Sequence, residues 1–133
     1  MAGKCLDSWA VVELLNAENT PPALRVAATL DRERPVMSWL NAGEVFYIVR
    51  RRNGDRAAHD TLRDLRHAVE FDDVTPERVV AAARIKSDYP IAFADAFAAA
   101  TAIAHDAVLL TGDPELLVDG APWQWEDLRE AVD

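Results

Sequence analysis

The chain has one cysteine, Cys5, and only two lysines, Lys4 and Lys86, among 133 residues. A lone cysteine excludes an intrachain disulfide and a zinc site built on cysteines. Such usage fits a reducing cytoplasm, where the protein is expected to reside. No apolar run reaches the length of a membrane-spanning helix, and no basic segment precedes an apolar one at the start. Neither a membrane span nor a secretory leader is therefore expected. Repeats, low-complexity tracts and linker-like stretches are also absent, so one domain over residues 1–133 is expected.

Half of the chain is apolar, enough for a core without covalent or metal staples. The net charge is −9 and the pI about 4.7, which taken alone opposes binding to nucleic acid. The positive charge is unevenly placed. Arg50, Arg51, Arg52 and Arg56 lie close together, with Arg63 and Arg66 downstream. Two readings fit them. Cations are favoured at a solvated helix C-terminus, and the planar, bidentate guanidinium also suits phosphate.

Short apolar strands alternate with helical patterns. Strands are expected at Lys4–Asp7, Pro35–Ser38, within Val69–Val74 and at Val108–Thr111, with an edge strand near Trp123–Trp125. Ser8 is expected to cap a helix over Trp9–Leu15. Asn16–Thr20 reads as a turn, with Pro21-Pro22 opening the next helix. Further helices are expected over Trp39–Arg52, ended by Asn53-Gly54, and over Asp55–Ala68. The remaining ones run from Pro76 to Ser87 after Thr75, from Phe93 to His105 and, briefly, over Glu115–Val118. This alternation predicts an α/β fold: a short central parallel sheet flanked by helices on both faces.

Four carboxylates interrupt this apolar pattern. Asp7 ends the first strand, Glu44 sits in an apolar helix, Asp95 heads the alanine-rich helix, and Asp113 follows the fourth strand. Ligands of parallel sheets bind beyond the carboxyl ends of the strands, where Asp7 and Asp113 must lie. Each acid has an ordinary alternative: helix cap, turn residue, strand-end cap or exposed helical glutamate. Gathered together, they would repel and hold protons tightly unless a cation joined them. A set of carboxylates without a nearby histidine suits magnesium or manganese better than zinc. Such a site can lower the pKa of a water and neutralise charge developing on a phosphodiester. Ser8 and Thr111 are candidates to orient the acids.

Leu6-Asp7-Ser8, Asn41-Ala42-Gly43-Glu44-Val45, Ala94-Asp95-Ala96-Phe97-Ala98-Ala99-Ala100 and Leu110-Thr111-Gly112-Asp113-Pro114-Glu115 follow one another across nearly the whole chain. In this order and spacing they resemble the four acidic motifs of PIN-domain ribonucleases, most of all VapC-type toxins of bacterial toxin–antitoxin pairs. The resemblance implies a PIN-like three-layer sandwich and Mg2+- or Mn2+-dependent cleavage of RNA. It also implies homodimerisation and inhibition by a cognate antitoxin lying over the site. By motif match, Asp7, Glu44, Asp95 and Asp113 would be the catalytic, metal-holding acids. Arg50, Arg51, Arg52 and Arg56, by their clustering and not by the motif match, are the expected contacts to RNA. Trp9 is bulkier than the small residue often found at its place and is expected at the pocket rim. The alternative is a PIN-like RNA- or protein-binding module with little or no catalysis.

Haloacid-dehalogenase phosphatases need a second Asp two residues after the first; here that position is Trp9. Response-regulator receivers need paired acids after the first strand and a late lysine, and both are missing. The tryptophans Trp9, Trp39, Trp123 and Trp125 suit either packing or base stacking. His59, His67 and His105 are expected in solvent, and Cys5 as inert packing. The helices after Thr20 and Asp55 are amphipathic and could also receive a partner helix.

Overall fold

Paired apolar residues in each central strand send one side chain to either face of a sheet, since successive residues alternate. Cys5, Val36 and Leu109 enter one core cluster, whereas Leu6, Met37 and Leu110 enter the other. The sheet must therefore be covered on both sides. The computed structural model, which describes residues 3–17 and 19–130, has this architecture. Residues 1, 2 and 131–133 of the expected 1–133 domain, and residue 18 of the expected turn, lie outside that description.

The strands are β1 (Lys4–Leu6), β2 (Val36–Ser38), β3 (Glu70–Asp72), β4 (Val108–Thr111) and β5 (Gln124–Asp127). They form one parallel sheet in the order β3-β2-β1-β4-β5. The helices are α1 (Ser8–Asn16), α2 (Pro21–Arg32), α3 (Trp39–Asn53), α4 (Asp55–Ala68), α5 (Pro76–Asp88) and α6 (Phe93–Ala104). α5 and α6 cover one face of the sheet, and the cluster from α1 to α4 covers the other. The three-layer α/β sandwich expected from the sequence is thus present.

Local chemistry sets most element ends. Thr20 and Thr75 cap α2 and α5 through their side chains, each followed by proline in the first turn. Gly54, at φ 95°, lies between α3 and α4 in a conformation that favours glycine. The alanines of α6 let it lie close on the sheet: Ala96, Ala98, Ala99 and Ala102 are fully buried. Cys5 lies beneath this helix, its thiol directed at the Ala98 carbonyl at 3.9 Å. Burial, aided by the charges of Asp7 and Asp72, pushes its pKa up, so inert packing describes it well.

Three local expectations need correction. Asp7, not Ser8, caps α1, its Oδ1 accepting the Ala10 N–H at 2.9 Å. A carboxylate accepts more strongly there than a hydroxyl. The segment after β4 is a single 3₁₀ turn, Pro114–Leu116, instead of a helix over Glu115–Val118. β5 starts one residue beyond Trp123, because Trp123 is buried and bonded through its indole N–H to the Leu116 carbonyl.

His105 is not simply solvated. Its Nε2 lies 2.8 Å from Asp72 Oδ1, and the same carboxylate receives two hydrogen bonds from Arg78. Burial alone would raise the Asp72 pKa, but Arg78 and His105 outweigh it and hold the carboxyl below its usual range. The sequence hides this link because β3, α5 and the end of α6 meet only in the fold. No helix is long and apolar enough to cross a membrane among the described residues.

Candidate active site

The chain fills β1, β2 and β3 toward one sheet edge, then returns to place β4 and β5 on the other side of β1. The order reverses between β1 and β4, the kind of junction where such sheets bind ligands. Asp7 follows β1 directly, and Asp113 follows β4 by two residues. Their shared position is fixed by the parallel pairing of Leu6 with Leu110.

Thr111 ties these two acids together. Its hydroxyl donates to Asp7 Oδ2 and accepts the Asp113 N–H at 3.0 Å. Thr111 is fully buried, and its bond to Asp7 is shielded from water, while that from Asp113 is partly so. Asp7 is also buried, while Asp113 lines an open cleft.

α6 contributes Asp95 from its first turn, where the helix dipole favours a carboxylate. Oxygens of Asp95, Asp113 and Glu115 lie within 4.8 Å of one another. Glu115 was not singled out from the sequence, although it stands in the quoted fourth motif. Its Oε2 accepts the Ala92 N–H at 2.9 Å, at the otherwise uncapped start of α6. Its own N–H donates to Asp113 Oδ1 at 3.0 Å. Glu115 therefore fastens the β4 loop to the helix that carries Asp95.

α3 contributes Glu44. Asn41 Nδ2 donates to Glu44 Oε1 at 2.9 Å and to the Ala94 carbonyl at 3.1 Å, holding α3 against α6. Asn41 was also missed as a positioning residue. Its place three residues before Glu44 on one helix was the available signal.

The cleft has a volume of about 360 Å³ and is lined by Glu44, Asp95, Asp113 and Glu115, with Ser8, Trp9, Val12, Ile48 and Ala92. Of the four acids expected from the sequence, Glu44, Asp95 and Asp113 line the cleft; Asp7 is buried, does not line it and joins it through Thr111. Thr111 bonds to Asp7, whereas Ser8 only lines the cleft and gives no acid a hydrogen bond among the described residues. Trp9 lies at the cleft wall, as expected. The other tryptophans serve packing: Trp39 stacks on Phe71 at 4.1 Å, and Trp123 and Trp125 bond to backbone carbonyls.

The four arginines do not line the cleft. Arg50 pairs with Asp55 at 3.1 Å, Arg51 lies over the Tyr47 ring at 5.5 Å, and Arg56 is exposed on α4. Arg52 stands one helical turn beyond Ile48 on α3. It donates to Asn16 Oδ1 at 2.9 Å, and Asn16 is one turn beyond Val12.

Gathering the acids has an electrostatic cost. Burial raises the Asp7 pKa to about 7 against the hydrogen bonds from Thr111 and Ala10, with the charges of Asp113 and Glu44 adding to the rise. Burial, then the Asp113 charge, raises Asp95 to about 8. These residues fit a hard divalent cation. The donors are carboxylate oxygens without histidine or cysteine, and added positive charge would relieve both shifts.

A family profile for the PIN domain matches residues 4–118. No curated protein matches the chain in sequence. Among solved structures, VapBC2 from Rickettsia felis bound to promoter DNA aligns with TM-score 0.75 and 16% identity, over 93% of this chain and 97% of that one. VapBC-1 from nontypeable Haemophilus influenzae gives 0.73 and 20%, over 96% and 98%. Mycobacterium tuberculosis VapC20, a sarcin-ricin loop cleaving toxin, gives 0.73 and 21%, over 89% and 95%. These likenesses concern the fold, and the profile match spans most of the sequence: the chain belongs to the PIN-domain family.

Proposed function

We propose that this protein is a metal-dependent endoribonuclease, the toxin of a type II toxin–antitoxin pair. One observation carries the reading: Glu44, Asp95, Asp113 and Glu115 line one open cleft by the β1/β4 junction, with buried Asp7 tied to the Asp113 loop through Thr111. A scaffold without chemistry has no use for carboxylates held close enough to raise one another's proton affinity. Family membership and the named activity of VapC20 support the same reading.

Asp95, Asp113 and Glu115 would hold Mg2+ or Mn2+, with Glu44 lining the same cleft. The bound cation supplies Lewis acidity toward a phosphodiester and the attacking water. Asp7 adds to the charge at the site and, through Thr111, fixes the Asp113 loop. Asn41 and Glu115 keep α3, α6 and β4 in register, so the acids are preorganised. Arg50, Arg51, Arg52 and Arg56 are proposed as contacts to RNA phosphates, with Arg52 one helical turn beyond Ile48 on α3.

The cognate antitoxin is proposed to cover the cleft and to anchor a helix in the apolar groove between α1, α2 and α4. Leu14, Leu15, Leu30 and Leu65 line that groove. Exposed Val74, Val79 and Val80, on and before α5, are proposed to meet a second copy of the chain. The protein is proposed to act in the cytoplasm.

The test is cleavage of an RNA panel with Mg2+ or Mn2+, with excess chelator, and with Asp95→Asn. Metal-dependent cleavage lost in the variant is expected. Cleavage that persists in chelator, or none under any condition, contradicts the nuclease reading; the latter outcome favours a binding module.

A further inference from the structure

Trp9 is placed differently from the other tryptophans. A Cβ added at Gly112 would lie 2.3, 2.4 and 2.6 Å from its Cζ2, Cη2 and Cε2. Such near-equal distances to three adjoining ring atoms put Gly112 on the face of the indole, not at its edge. The missing side chain of Gly112 is what allows the ring to lie there. The ring is partly buried, packing against the core on the α1 side, and its remaining surface lines the cleft. Trp123 and Trp125 donate their N–H to Leu116 and Val118, but among the described residues the Trp9 N–H has no protein acceptor.

The cleft is not wholly acidic. Besides the acids, Trp9, Val12 and Ile48 give it an apolar lining, and Arg52 stands one helical turn beyond Ile48 on α3. Glu44 and Arg52 are separated by about 12 Å along α3, from the rise of a helix. An acid site with a flat aromatic surface beside it matches a phosphate and a neighbouring base of a nucleic-acid strand. A base within a duplex presents no free face, so the fitting ligand is single-stranded.

We propose that Trp9, backed by Gly112 and flanked by Val12 and Ile48, is a stacking subsite for a nucleobase of single-stranded RNA next to the scissile phosphate. This deepens, and rests on, the nuclease reading. Trp9 thereby sets which segment of RNA can enter: one with an unpaired base beside the cut.

The test is RNA binding, measured by fluorescence anisotropy on the full chain carrying Asp7→Asn, in Mg2+, so that binding is read without turnover. The probes are a labelled pool of short random single-stranded RNA and an oligomer of the same ribose-phosphate backbone without bases. Removing the bases should weaken binding roughly ten-fold when Trp9 is present. Trp9→Leu, which keeps apolar volume but has no aromatic face, should show the same loss with intact RNA. It should show little further loss when the bases are removed. Trp9→Phe should fall between, and supplies the comparison if the leucine variant does not fold. Equal binding by tryptophan and leucine chains, or an undiminished effect of base removal in the leucine chain, overturns the stacking subsite and leaves the nuclease reading standing. No binding of RNA by the chain with Trp9 intact overturns both.

Discussion

Asp7 and Asp113 share one hydroxyl: Thr111 donates to the Asp7 carboxylate and accepts the Asp113 backbone N–H. The acid at the end of β1 and the loop after β4 are thereby fixed relative to one another without touching. Thr111→Val keeps the side-chain shape and removes this link. It should cost about 1–3 kcal/mol of stability, the range for a buried polar group left unpaired. Cleavage should fall at least ten-fold, with Thr111→Ser restoring most of it. Urea denaturation beside a cleavage assay measures both, and a valine variant equal to the parent in both contradicts the assigned link.

Without metal, stability should fall as pH rises. The folded-state pKa values of Asp7 and Asp95, about 7 and about 8, lie above the ordinary carboxyl value. The folded state therefore binds these protons more tightly than the unfolded state. Their stabilising contribution is complete below about pH 4, the unfolded pKa region, and is lost as pH rises through 7 and 8. Melting midpoints in chelator should decline between pH 5 and 8. Asp7→Asn should flatten the decline and melt higher at the alkaline end. Added Mg2+ should stabilise more at higher pH, because the cation competes with protons for the same oxygens. A metal-free midpoint that rises over this interval would refute the assignment.

Gly112 is reserved for the Trp9 ring. Gly112→Ala forces the indole or the Asp113 loop to move, at about 1–3 kcal/mol for overpacking. Combining it with Trp9→Ala should recover part of that loss, giving a non-additive double-mutant cycle. Strict additivity in denaturation experiments would mean that the two residues do not meet.

Asp72 joins β3 to Arg78 and His105. Asp72→Ala leaves a partly buried guanidinium without its partner and should destabilise the protein by about 1–3 kcal/mol. Cleavage by the folded variant should be unchanged, because this cluster is not part of the cleft. With a depressed folded-state pKa, Asp72 contributes stability above its unfolded value of about 3.9 and loses it as pH falls further. The variant should therefore lie closest to the parent in acid, as melts below pH 4 would show.

Much of this architecture was legible from short-range chemistry. Proline after threonine marked the starts of α2 and α5, and Gly54 marked the end of α3. Paired apolar residues in β1, β2 and β4 announced a sheet covered on both faces. The four acids were visible as charges in apolar settings. Glu115 and Asn41 were less visible, since their roles depend on Ala92 and Ala94, which belong to another element. His105 read as solvated because its partner Asp72 lies 33 residues away.

The sequence by itself determined the elements, the three layers and the placing of Asp7 and Asp113 beyond strand ends. Helix caps, turns and two-residue alternation act over a few neighbouring residues. Only the tertiary structure decided that β4 lies against β1, which reverses the sheet order where those two acids emerge. It alone set Glu115 beside Asp95, and Trp9 face-on to Gly112. Those relations join residues far apart in the chain, and packing, not local preference, brings them together.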